Sequence, residues 1–287
     1  MKALVAWGAG LAGAVVATAG AVIASQLPAV GAGALLHPVR RHVGLPPPDT
    51  CESASFPGEG ITLKGWRCRA VGDRRAALVY LHGVTDNRTS AAGVIERFGS
   101  RGFDVVAYDS RAHGESEGGA CTYGWFEKQD LCRVLDTIGS GPIVLLGTSL
   151  GAAVALQAAA IEPRVSAVVA VEVFSDLRSI ATERVPFVFT GRLLRRAFSL
   201  AEQEARFPID AVSPERAAAH VAAPVLLIHG DADTATGPHH SRRVFAALMG
   251  PKRLIVVPGA RHNGSLRADV WDEIDRWLDG VLEATAG

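Results

Sequence analysis

The chain has 287 residues, 48% of them hydrophobic and 20% charged, with 29 basic side chains against 29 acidic ones. A chain of this length and apolar content buries a large core, so it is neither disordered nor dependent on a disulfide or metal staple for folding. Zero net charge, with 25 arginines and 4 lysines scattered along the chain, excludes the basic excess of a nucleic-acid binder.

The mean hydropathy of +0.20 is high for a soluble enzyme. Part of the excess sits at the front, where no charged residue occurs from Ala3 to Leu36. The 23 residues 3–25 are long enough to cross a bilayer as a helix. Thirteen of them are Ala or Gly, so the stretch is only moderately apolar. Residues 1–25 are therefore read as a transmembrane anchor or a signal segment, which implies a membrane or exported location. Lys2 and the Ala17-Thr18-Ala19 run suit the signal reading. A soluble arm is the third reading. Lys2 on one side and Arg40 and Arg41 on the other leave the orientation open. Pro28, Pro38 and Pro46-Pro47-Pro48 mark 26–49 as a linker, and the folded domain is expected over 50–287.

Four cysteines follow, without the CxxC pairs of a zinc or redox site. Cys51 and Cys68 flank a candidate hairpin. A disulfide there fits an exported domain, and two separate packed thiols fit equally well.

Beyond residue 60, short strand-like runs alternate with helical patterns. An edge strand is expected over 61–69. Further strands are expected over 77–81, 105–108, 143–146, 168–173, 225–228 and 254–257. Most are continuous apolar runs, the pattern of strands covered on both sheet faces. Helical patterns occupy 90–101, 150–161, 241–248 and 268–282. This βα order predicts a mostly parallel sheet with helices on both sides.

Ligands of such sheets bind beyond the carboxyl ends of the strands. The tips read His82-Gly83-Val84, then Asp109 to Gly114, then Gly147-Thr148-Ser149-Leu150-Gly151, then His229-Gly230-Asp231-Ala232-Asp233, then Pro258 to Asn263. Gly147–Gly151 is a complete G-x-S-x-G between an apolar strand and an Ala-rich helix, which makes Ser149 the candidate nucleophile. A serine hydroxyl needs a base, and His262, after the last strand, is the best placed of nine histidines. Asp233 is the candidate acid that orients it. Asp231 competes with it but is expected to shape the loop, and Glu172 and Asp176 are weaker alternatives. The backbone N–H groups of Leu150 and Val84 are the candidate oxyanion donors. His82 and His229 are expected to make local hydrogen bonds. His239-His240 lacks a third ligand nearby in sequence and reads as a solvated helix start.

These strings, together with Asp109-x-Arg111-x-His113-Gly114-x-Ser116 and Gly259-x-x-His262, resemble the α/β-hydrolase fold serine hydrolases over residues 58–283. The resemblance is to the branch with monoacylglycerol-lipase-like and serine-aminopeptidase-like members. It implies an eight-stranded, mostly parallel sheet with helices on both faces and a short helical cap inserted at about 175–222. It also implies cleavage of a small-molecule acyl ester by a Ser149–Asp233–His262 triad through an acyl-enzyme. Amide or peptide hydrolysis by the same triad is the alternative, and a non-catalytic membrane-bound protein on this scaffold is a third reading. The Asp109–Ser116 string is a structural turn in this branch. His82-Gly83-Val84 lacks the longer glycine run of some esterases, which implies the tighter oxyanion loop. Gly237-Pro238 follows Asp233 one residue later than in many relatives. In the cap, Val185-Pro186-Phe187-Val188-Phe189, Leu193-Leu194 and Phe198 suit an apolar lid over the site, or alternatively a helix pair covering the sheet edge. No metal, nucleotide or flavin cofactor is expected, since G-x-S-x-G lacks the lysine of a phosphate loop.

Overall fold

A computed structural model describes residues 25–186 and 189–286. Its centre is an eight-stranded sheet. The strands are β1 (Cys51–Pro57), β2 (Thr62–Cys68), β3 (Ala76–Leu81), β4 (Phe103–Tyr108), β5 (Ile143–Thr148), β6 (Val165–Val171), β7 (Val225–Gly230) and β8 (Lys252–Val257). Their spatial order is β1-β2-β4-β3-β5-β6-β7-β8. β2 runs antiparallel to both neighbours, and β3 to β8 are parallel. The helices are α1 (25–36), α2 (Ala92–Gly99), α3 (Glu127–Leu135), α4 (Leu150–Ala159), α5 (Leu177–Arg184), α6 (Gly191–Ala205), α7 (Pro214–Ala218), α8 (His239–Ala247) and α9 (Ala268–Ala286).

The continuous apolar runs have the expected cause. Successive side chains on a strand point to opposite faces, and here both faces are covered. In β7, Val225 and Leu227 join one core while Leu226 and Ile228 join the other. β5 divides the same way, with Ile143 and Leu145 on one side and Val144 and Leu146 on the other. The first core packs against α4, the second against α2 and α9. Every residue of α4 is buried. That explains why its sequence is apolar all round rather than on one stripe.

The strands expected from sequence all form, displaced by a residue or a few at their ends. The edge strand at 62–68 has a partner the sequence only hinted at, β1. Cys51 and Cys68 stand directly opposite one another in that ladder and form a disulfide. Cys121 and Cys132 are free thiols.

The largest departure lies at the front. The anchor or signal segment, 1–25, falls outside the described residues except for Ser25. Among the described residues no helix is long and apolar enough to cross a membrane. The stretch 26–49, expected as a linker, is packed in its first half. Ala32 and Leu36 of α1 belong to the first core, and the Leu36 carbonyl accepts the Cys121 N–H at 2.8 Å. Beyond α1, Arg40 donates to the Ser116 and Gly118 carbonyls. Asn87 Nδ2 donates to the Arg41 and His42 carbonyls. Prolines mark this stretch in sequence, and its uncharged part, up to Leu36, supplies Ala32 and Leu36 to the core.

Candidate active site

Parallel register brings the carboxyl ends of β3, β5, β6, β7 and β8 to one rim. Leu81 pairs with Gly147, Thr148 with Val171, Val171 with Ile228, and Gly230 with Val257. The residues that follow these ends therefore gather, although they lie far apart in sequence.

Ser149 sits between β5 and α4 with φ +50° and ψ −109°. A positive φ is uncommon for a residue with a side chain and costs on the order of 1–3 kcal/mol. The surroundings hold it there. Its N–H donates to the Val171 carbonyl at 2.8 Å, and its carbonyl accepts from Ala153. The flanking glycines are required by contact. A Cβ on Gly151 would stand 2.0 Å from the Leu81 oxygen, and one on Gly147 would stand 2.3 Å from the Gly151 carbonyl carbon. The strand, the turn and the helix approach too closely for any side chain at either place.

The loop after β3 meets this turn. A Cβ on Gly83 would lie 3.7 Å from Ser149 Cβ, so Gly83-Val84 runs beside the serine. Leu150 opens α4, where first-turn N–H groups have no acceptor within the helix. The N–H groups of Val84 and Leu150 make no hydrogen bond among the described residues. His82 is fully buried. Its Nδ1 donates to the Gly83 carbonyl at 2.7 Å and its Nε2 accepts the Ser110 N–H at 3.0 Å. It shapes the loop, as its sequence position suggested.

Asp233 and His262 come together as expected, with His262 Nδ1 2.7 Å from Asp233 Oδ2. The other Asp233 oxygen accepts the Ala235 and Thr236 N–H groups at 2.8 and 2.9 Å. Burial alone would raise the pKa of this carboxyl. The bonds from His229, His262 and Thr236 outweigh burial and hold it well below the usual carboxylate range. Asp233 is therefore an anion at any pH near neutral. With Nδ1 on Asp233, the Nε2 face of His262 is left for a reacting group. Among the described residues Ser149 Oγ forms no hydrogen bond to His262. Such bonds are often long in an unliganded site and tighten around a substrate.

The competing residues separate by contact. Asp231 accepts the Gly259 N–H at 2.6 Å, so it shapes the loop. Asp176 caps α5 through the Ser179 N–H. His229 is fully buried, bonded to Ser241 Oγ at 2.6 Å and the Thr236 carbonyl at 2.8 Å. Glu172, directly after β6, is different. It is buried, and its Oε2 lies 3.4 Å from His262 Nδ1. The Asp109–Ser116 string is a structural turn: Asp109 accepts the Arg88 and Glu115 N–H groups, and Ser116 Oγ donates back to the Asp109 carbonyl.

Among the described residues two groups of side chains bring ligand atoms within 4.8 Å of one another: Glu172 with Asp233 and His262, and Glu183 with His239 and His240. The second group corrects the sequence reading of a solvated helix start. His240 is fully buried, and Glu183 of α5 reaches both histidines, at 3.3 and 3.0 Å. Its chemistry is that of a clasp. His240 Nδ1 accepts the Ser175 N–H at 3.2 Å, so Nε2 carries the proton and donates it to Glu183. Burial pushes His240 below the usual histidine range, consistent with a neutral ring.

Over the rim, α1, α5 and α6 enclose a cavity of about 470 Å³. Its walls include Leu35 of α1, Ile180 of α5, and Leu194 and Phe198 of α6, with Val84 and Thr85 at the rim. Ser149, Asp233 and His262 do not line it, so it adjoins the site from the Val84 side. Of the expected lid residues, Val185, Pro186, Phe189, Leu194 and Phe198 line the cavity. Phe187 and Val188 lie outside the described residues. The contribution of α1 was not legible, because its residues carry no chemical signature beyond small size and apolarity. Arg184 of α5 donates to the Ala235 carbonyl and to Thr236 Oγ1 at 2.8 and 2.7 Å, tying the cap to the Asp233 loop.

Known proteins are similar to this chain in sequence and fold. A family model described as the alpha/beta hydrolase fold matches residues 76–199. The uncharacterized protein YfhR of Escherichia coli K12 is 27% identical over 253 residues, 83% of each chain. The uncharacterized protein YqkD of Bacillus subtilis is 28% identical over 242 residues, 79% of this chain and 78% of its own. Among solved structures, the Pyrococcus furiosus esterase Pf2001 superposes with a TM-score of 0.68 at 21% identity, covering 87% of this chain and 98% of that one. Mouse alpha/beta hydrolase domain-containing protein 10 gives 0.63 at 22% identity, covering 80% and 99%. With its strand order, its serine turn and these likenesses together, the chain is an α/β-hydrolase-fold protein.

Proposed function

We propose that this protein is a serine hydrolase that cleaves a carboxylic ester through an acyl-enzyme. The observation that carries the reading is the His262 Nδ1–Asp233 Oδ2 bond of 2.7 Å, on the same rim as the strained Ser149 turn. His262 Nε2 takes the proton of Ser149 Oγ as that oxygen bonds to the ester carbonyl carbon. The Val84 and Leu150 N–H groups receive the oxyanion. Collapse of the tetrahedral intermediate releases the alkoxide, which leaves with the proton from His262. Water, deprotonated by the same base, then frees the acid. The apolar cavity beside Val84 suits an acyl group of small to medium size. The Pyrococcus furiosus esterase with the same fold supports the ester class.

A fluorophosphonate probe should label the wild-type chain and leave Ser149→Ala unlabelled. Ester turnover in that variant should fall by roughly 10⁴–10⁶-fold, as in other triads. Equal labelling of both would sink the assignment. A side-by-side assay of acyl esters and aminoacyl amides decides the leaving group.

The Cys51–Cys68 disulfide supports placing the domain in an oxidising compartment, behind residues 1–25, read as a transmembrane anchor or a signal segment. Non-reduced chain from the native host should therefore hold two alkylatable thiols rather than four. Four would count against this location.

A further inference from the structure

Glu172 is a buried carboxylate that the triad does not use. It follows β6 directly, with φ +55° and its N–H bonded to the Ile228 carbonyl at 2.8 Å. A left-handed backbone is uncommon for glutamate. Here it turns the side chain along the rim toward the histidine loop. Oε2 accepts the Asn263 N–H at 2.6 Å, and Oε1 accepts Ser265 Oγ–H at 2.5 Å. Glu172 therefore grips the loop just beyond His262. Oε2 also lies 3.4 Å from His262 Nδ1, against 2.7 Å for Asp233 Oδ2.

A purely structural grip would need only neutral acceptors. Burying an ionised carboxylate is costly unless it is paired. No Arg or Lys is paired with Glu172 among the described residues, and its one ion-pair partner is His262. In the proposed reaction His262 becomes positive when it takes the serine proton. Among the described residues the charged groups against it are Asp233, from the loop after β7, and Glu172, from the end of β6, with His229 of β7 behind Asp233, 3.3 Å from its Oδ2. Arg184 of α5 stands behind them, on the backbone of the Asp233 loop.

We propose that Glu172 is a second carboxylate partner of His262, a positioning residue that holds the histidine loop and shares the imidazolium charge with Asp233. The inference rests on the ester-hydrolase reading above. It makes the base a three-group device spread over the ends of three adjacent strands, β6, β7 and β8. Asp233 fixes the ring's tautomer, and Glu172 fixes the loop and deepens the negative field around Nδ1.

The test is a cycle of Glu172→Gln, Asp233→Asn and the double variant, with Ser149→Ala as background. Glu172→Gln should lower kcat/KM by about 10-fold, the size expected for one lost charge-assisted contact to the imidazolium. It should also move the acid limb of the pH profile to lower pH. The sign follows from the charge: removing an anion makes the imidazolium easier to deprotonate, so the base stays active to lower pH. Glu172→Asp keeps the charge and should keep the limb in place while losing turnover. Asp233→Asn should stay at least 10-fold above Ser149→Ala, and the double variant should fall to that background. An acid limb unmoved in Glu172→Gln, with a double variant no worse than Asp233→Asn, would overturn the proposal. Should Glu172→Gln not fold, Asp233→Asn decides alone, because turnover at the Ser149→Ala level leaves no role for a second carboxylate. If Ser149→Ala itself retains turnover, the hydrolase reading fails at this site, and that outcome is distinct from a silent Glu172.

Discussion

The rim and the lid are built by different rules. At the rim, identity is dictated by backbone and polar contacts. Ser149 and Glu172 hold positive φ, Gly151 has no space for a methyl, and Asp233 spends both oxygens on named donors. The lid is apolar surface from α1, α5 and α6, tied to the rim by Arg184 and by Glu183. Many side chains of similar size could fill those lid positions, because volume and apolarity govern such packing. On the proposed ester-hydrolase reading, the rim would fix the chemistry and the lid would be free to set which acyl group is accepted.

The sharpest break in that contrast is Gly151→Ala. Its Cβ would fall 2.0 Å from the Leu81 oxygen and 2.4 Å from the Leu81 carbonyl carbon, both backbone atoms of the central strand β3. Neither can step aside as a flexible side chain would. The expected loss is roughly 3 kcal/mol or more, read as a lower urea midpoint or as failure to recover folded protein. Gly93→Ala in α2 is the control, since a Cβ there meets nothing within 4 Å. That substitution should add about 0.5–1 kcal/mol, because alanine is the better helix former. Equal effects at the two glycines would remove the argument that contact dictates the serine turn.

Acid should weaken the turn after β4 from about pH 6.5 downwards, where an ordinary carboxyl is still ionised. His113, on the turn after β4, is fully buried, and its Nε2 has no hydrogen-bond partner among the described residues. Burial, then the nearby His82, pushes it from 6.5 down to about 4. Its folded pKa lies below its unfolded one, so the unfolded chain binds the proton first. The associated stability is intact above pH 6.5 and drains away as pH falls towards 4, by about 3 kcal/mol in all. Urea midpoints at pH 7 and pH 4.5 read this loss. His113→Gln should flatten the difference between them, and an equally steep fall in the variant would refute the assignment.

What the sequence displayed follows the same division. The parallel strands of the sheet were legible because two covered faces force apolar runs, the count of eight followed only from the resemblance, and the placing of Ser149, Asp233 and His262 on one rim was legible because each follows the end of a parallel strand. Glu172 was visible only as a weak alternative acid. Its contact with His262 depends on a turn of the backbone that no local pattern announces. The Glu183–His239–His240 clasp was missed for a similar reason, since its third member lies over fifty residues away on the cap. α1 was read as linker because the prolines around it punctuate the chain, and nothing in its small apolar sequence announces the core it packs against.

The smallest expected effect probes the lid, and it asks whether α1 belongs to it. Leu35 of α1 and Leu194 of α6 line the same cavity from separate parts of the chain. Truncating either to alanine removes apolar contact with a bound acyl chain, worth about 1–2 kcal/mol at ~0.8 kcal/mol per buried CH₂. Each variant should therefore lose about 5–30-fold in kcat/KM for esters of medium chain length. Acetyl esters, too short to reach the cavity wall, should turn over as before. The split between the two substrates separates a lid effect from a rim effect, because damage at Ser149, Asp233 or His262 would lower both alike. Should Leu194→Ala show the split and Leu35→Ala leave both substrates unchanged, α1 would be packing that merely neighbours the cavity. If both variants show it, the chain ahead of residue 50 is part of what selects the substrate.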